Sequence, residues 1–145
     1  SIMLFCAVLS RIIFGYVSDI IGPLKTLLIG STLQMITLIL FIPFNSLTGL
    51  YIVSILFGLS QGGIVPSYAL IVKKYLPSKD AAERIGLIIF FTIIGMSIGG
   101  WMSGKIYDFT NSYTLGFLNS IIWNLINVMI IFYIFINFKR SKTTI

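Results

Sequence analysis

The sequence predicts an all-α fold, a polytopic transmembrane helix bundle with five spans. Three observations carry that prediction. Hydrophobic residues make up 57% of the 145 and charged residues only 10%, whereas an average soluble domain carries about 25% charged residues. The mean hydropathy is +1.03. The apolar residues also come in long runs, not in alternation or on a single helical stripe, and most charges fall between the runs. The runs define one transmembrane domain over residues 1–145, with spans at about 2–17, 26–41, 50–72, 85–107 and 114–138.

The same composition argues against other classes. The formal net charge of +6 sits between and after the apolar runs, at the level of lipid headgroups, so the expected partner is the lipid bilayer and not nucleic acid. Cys6 is the single cysteine and there is no histidine, which leaves no internal disulfide and no His/Cys metal site; neither a metal nor a cofactor is expected. The chain opens on Ser1 and is apolar from Ile2, without a basic stretch or small-residue cleavage pattern ahead of the run, unlike a signal peptide. It reads as the C-terminal piece of a longer protein, whose N-terminal helices are expected partners of these spans.

Span one carries Arg11 and ends in a stretch with a fixed rhythm: Arg11, Gly15, Asp19, Gly22, Lys25. Arg11, Gly15 and Asp19 are four apart and share one helical stripe. Gly15 admits close approach of a neighbour, Asp19 marks the water interface, and Gly22-Pro23 forces a turn. Arg11 then lies about 12 Å deeper than Asp19, near the midplane of a hydrocarbon layer about 30 Å thick. A cation at that depth faces a partner or a water-filled cavity. The plainer alternative is an arginine that snorkels to the headgroups or pairs with Asp19.

Span two has Gln34 as its interior polar residue, more simply an interhelical hydrogen bond than a ligand contact. Span three is the least regular. It contains GLSQGGIVPSY, where Pro66 removes a backbone hydrogen bond and Gly58, Gly62 and Gly63 weaken the turns before it. Such a helix can bend and expose carbonyls to a cavity, with Gln61 and Tyr68 as nearby substrate-binding groups. Close packing through Gly58-x-x-x-Gly62 accounts for the same glycines equally well. In the following KKYLPSKDAAER, Asp80 and Glu83 have the spacing of a capping box for span four.

Span four carries Gly95, Gly99, Gly100 and Gly104, two overlapping small-x-x-x-small pairs expected to pack on another helix. Trp101 and Tyr107 suit the interfacial belt, and YDFTNSY (Tyr107 to Tyr113) reads as the next turn. Span five contains Asn119, Asn124 and Asn127, which do not share one face and are expected to bond to neighbouring helices. With the Asp19 loop cytoplasmic, the basic tail is cytoplasmic too, and every basic residue except Lys105 falls toward that side.

The Gly15–Asp19–Gly22–Lys25 stretch resembles the loop signature of the major facilitator superfamily, with Ile20 and Pro23 standing where that family often has basic residues. The whole chain looks like the last five helices of such a transporter. QGGIVPSY (Gln61 to Tyr68), GGWMSGKIYDFTNSY (Gly99 to Tyr113) and the Arg11-x3-Gly15-x3-Asp19 rhythm look most like the monocarboxylate and oxalate/formate porter branch. That resemblance implies alternating access, small carboxylates as substrates, movement with a proton or by exchange, and a bacterial inner membrane location with a cytoplasmic C-terminus. It also implies that Arg11 matches a membrane-embedded arginine that meets the carboxylate, while the same residue would otherwise belong to the cytoplasmic gate. No deep Asp or Glu accompanies Arg11, so a coupling group would come from the N-terminal helices. The alternatives are a non-transporting structural or regulatory membrane subunit, or a major facilitator of a different substrate class. An enzyme is not expected, since the spans offer no nucleophile, base and metal constellation.

Overall fold

The computed structural model describes residues 2–43 and 46–143. The described residues form helices and no strand: α1 (Ile2–Ile21), α2 (Pro23–Leu40), α3 (Leu47–Gln61), α4 (Ile64–Tyr75), a 3-10 turn (Ser78–Asp80), α5 (Ala81–Thr110) and α6 (Tyr113–Thr143). With α3 and α4 taken together as Leu47–Tyr75, five helical segments are long and apolar enough to cross a membrane.

The helices run further than the apolar patterns that predict them. α1 continues through Asp19 to Ile21, so the loop signature is mostly helix and the turn reduces to Gly22, at φ 93° and ψ 149°. Pro23 follows at the first position of α2, where its missing N–H costs nothing. Ser46 caps α3, its hydroxyl accepting from the Gly49 N–H at 3.2 Å. Asp80 precedes α5 without a side-chain cap; its carboxylate instead lies 3.7 Å from Arg84 one turn on. The capping box read from Asp80 and Glu83 is therefore not formed, because Asp80 turns toward a charge and away from the backbone. Tyr107 to Thr110 belong to α5, which ends on Asn111 in the left-handed region at φ 51°.

Two packing seams organise the bundle. α1 lies on α3, running in the same direction. α2 lies antiparallel on α6: Phe41 stacks on Phe117 with centroids 5.1 Å apart, Gln34 Oε1 accepts from Asn124 Nδ2 at 2.9 Å, and Ser31 Oγ accepts from Asn127 Nδ2 at 3.4 Å. The steps from Phe41 to Gln34 to Ser31 on α2 repeat in reverse from Phe117 to Asn124 to Asn127 on α6. Leu24, Leu27, Ile64 and Ile131 form the apolar core of this seam. Buried hydroxyls are spread over α1 to α4: Ser10, Ser31, Ser60 and Ser67 are each 2% exposed or less. Small polar residues at helix contacts are the membrane pattern, since lipid gives no water-exclusion force and packing rests on dispersion and hydrogen bonds.

α5 packs against α6 and α4 yet buries none of its residues. Methyl groups built on Gly95, Gly99, Gly100 and Gly104 would meet nothing within 4 Å. The close packing read from that glycine row is thus not made by the described helices of this chain.

Candidate functional site

Span three owes its two-helix form to one proline. Pro66 has no N–H to offer the Gly62 carbonyl, and its ring crowds that oxygen. The chain answers with a break: α3 stops at Gln61, Gly62-Gly63 forms a turn, and α4 restarts at Ile64. Pro66 then occupies the first turn of α4, where N–H groups lack helical partners anyway. Ser67 repairs the next carbonyl twice over, its backbone N–H (3.4 Å) and its hydroxyl (2.7 Å) both donating to Gly63 O.

The break is held against α1. A methyl on Gly58 would collide with the Met3 carbonyl, one on Gly62 with the Ala7 carbonyl and Ser10, and one on Gly63 with the Phe14 ring. Ser10 Oγ donates to the Leu59 carbonyl across the same contact. The glycines therefore supply close approach and the proline supplies the break.

This register fixes the height of Arg11. Gly62 meets Ala7 and Ser10, and Gly63 meets Phe14, so Arg11 stands on α1 level with the interruption. It also lies two turns, about 12 Å, from Asp19. Arg11 is exposed on the flank of α1 beside the Ser10 and Phe14 contact, and no ion pair joins it to Asp19. Gln61, half-buried, ends α3 at the same break. Tyr68 is placed differently: its ring packs against the Leu24, Leu27, Ile64 and Ile131 core. The structure thus sets Arg11 and Gln61 at one height and does not bring Tyr68 into a shared cleft with them.

The loop residues divide as well. Gly15 meets nothing within 4 Å and faces away from the helices present. Gly22 provides the turn, and Lys25 is exposed on the first turn of α2. Asp19 borders a hollow of about 240 Å³ with Ser18, Pro23, Leu70, Lys73 and Lys74. Reading the sequence span by span does not reveal that Asp19 has two lysines of α4 as neighbours. The signal available was their shared side of the membrane. Among the described residues no group of three His, Cys, Asp or Glu side chains is arranged to hold a metal ion.

A bundle of helices long and apolar enough to cross a membrane, one of them interrupted, has the architecture of a polytopic membrane protein. The sequence model of the Major Facilitator Superfamily matches residues 1–144, and the chain belongs to that family of transporters. It is 24% identical over 110 residues to Monocarboxylate transporter 13 of Rattus norvegicus, a match covering 74% of this chain and 26% of that relative. The chain thus corresponds to about a quarter of the relative's length. No solved structure matches it.

Proposed function

We propose that this chain is the C-terminal part of a secondary transporter that moves small carboxylates by alternating access, with Arg11 as the group that holds the carboxylate. The observation that carries this reading is the position of Arg11, level with the Gly62–Gly63 break and without an acidic partner among the described residues. A guanidinium presents two parallel N–H donors that match the two oxygens of a carboxylate. Its charge at mid-depth is costly unless an anion or water compensates it. The likeness to a relative named as a monocarboxylate transporter supports the same substrate class.

Gln61, at the end of α3, is the second candidate contact, a neutral amide able to donate to the substrate. Tyr68 is a weaker one, since its ring is committed to the core. Asp19, with Lys73 and Lys74 near it, would serve the gate at the lysine-rich end, together with Gly15, Gly22 and Lys25. Coupling to a proton or to a second anion would draw on helices outside this chain, because Asp19, Asp80, Glu83 and Asp108 lie near helix ends. The excess of basic residues at the lysine-rich end supports a cytoplasmic side for it.

Uptake by proteoliposomes containing the full-length transporter tests the reading. Labelled small mono- and dicarboxylates should enter with saturable kinetics, while neutral sugars and amines of similar size should not. Uptake of neutral or cationic solutes with no carboxylate uptake would overturn the assignment.

A further inference from the structure

At the lysine-rich end, the α1–α2 turn, the end of α4 and α6 enclose a cleft of about 360 Å³. Its walls are apolar, formed by Ile21, Leu24, Phe135 and Phe138, with the Tyr75 ring 4.9 Å from that of Phe138. Its charged lining consists of Lys25 and Lys74, without an acidic residue. The Lys74 ammonium sits 3.6 Å from where a Cβ on Gly22 would stand, so it points at the start of α2. No side chain caps that start, and the positive end of the α2 dipole adds to the two lysines.

These positive groups repel one another and lack counter-charge. Lys74 also borders the neighbouring hollow, where Asp19 is the one carboxylate and forms no ion pair within 4 Å with either lysine. That hollow, with its own carboxylate, is distinct from the cleft, whose charged lining of Lys25 and Lys74 has no acidic residue facing it.

We propose that this cleft binds an anionic phospholipid. The phosphate would sit between Lys25, Lys74 and the first turn of α2, and an acyl chain would lie along Leu24, Phe135 and Phe138. The apolar walls favour a lipid over a free anion, which would leave them uncovered. The site is separate from Arg11 and does not depend on which carboxylate is carried.

The test uses the full-length protein in phosphatidylcholine nanodiscs, titrated with phosphatidylglycerol and followed by thermal unfolding. Phosphatidylglycerol should raise the unfolding temperature, and its apparent affinity should fall roughly 30-fold in Lys25→Gln/Lys74→Gln. Lys79→Gln, in the loop outside the cleft, should stay within about twofold. Arg11→Gln should keep full lipid binding, which separates this site from the transport site. Soluble glycerol phosphate should give no protection. Native mass spectrometry of the unaltered protein should show phosphatidylglycerol retained over phosphatidylcholine, a readout that needs no variant. Equal retention of both lipids, undiminished affinity in the double variant, an equal loss in Lys79→Gln, or protection by glycerol phosphate would each overturn the proposal.

Discussion

Gly62 shows how one hydrogen atom decides a contact. Any side chain there collides with the Ala7 carbonyl and Ser10, and both collisions are with main chain or main-chain-linked carbon that cannot swing aside. Gly62→Val should therefore sharply reduce folded yield in mild detergent, while Gly99→Val, in open space, should be nearly neutral when this chain is assayed alone. Equal yields for both would contradict the packing described. Gly22 is constrained differently, by a φ of 93° that side-chain-bearing residues avoid. Gly22→Ala should cost about 1–3 kcal/mol, read as a lowered unfolding temperature. The Gln34–Asn124 bond joins residues far apart in sequence, and a double-mutant cycle with Leu at both positions should return about 0.6–1.7 kcal/mol of coupling. Gln34 and Asn124 were each legible as bonding residues, but their pairing was not. Pairing depends on which helices meet, and apolar runs carry no register.

At the scale of the element, span three was recognisable as irregular from its composition alone. Pro66 marks the disturbance, but the break falls one turn earlier because the ring acts on the carbonyl four residues before it. Pro66→Ala should restore an N–H for the Gly62 carbonyl and slow amide hydrogen exchange across residues 61–68. Unchanged exchange would mean that packing against Phe14, and not the proline, sets the break. Helix ends were the least legible feature. The apolar run predicts span four over 85–107, whereas α5 runs from Ala81 to Thr110, since polar residues at membrane edges prolong a helix without prolonging hydrophobicity. The glycine row of α5 looked like a packing face because spacing reports only that close approach is permitted. It does not report that a partner is present.

At the scale of the whole molecule, alternation of five spans brings the ends of α1, α4 and α6 together with the start of α2, and this gathers Lys25, Lys74 and Phe138 around one cleft. The distribution of lysines makes that shared end readable from sequence, and the family is readable from the loop signature together with the five spans and the glycine-rich third and fourth spans. The side of the membrane is testable with single cysteines at Lys79 and Asn111 in a Cys6→Ser background. An impermeant thiol reagent on intact cells should label position 111 and spare position 79, and the opposite pattern would invert the topology. Asp19→Asn in the full-length protein should slow turnover while leaving substrate affinity within about twofold, as expected of a residue that biases a gate and does not touch the ligand.

The central claim is that Arg11 holds the substrate carboxylate, and a direct binding measurement on the purified full-length transporter tests it most sharply. Calorimetric titration with a transported monocarboxylate should show affinity falling about 10- to 100-fold in Arg11→Gln, the loss expected for a charged hydrogen-bonded contact. Arg11→Lys should fall between the two, keeping the charge but losing the two-pronged geometry. Unchanged affinity in a folded Arg11→Gln protein would contradict the account and return Arg11 to the gate or the helix interface.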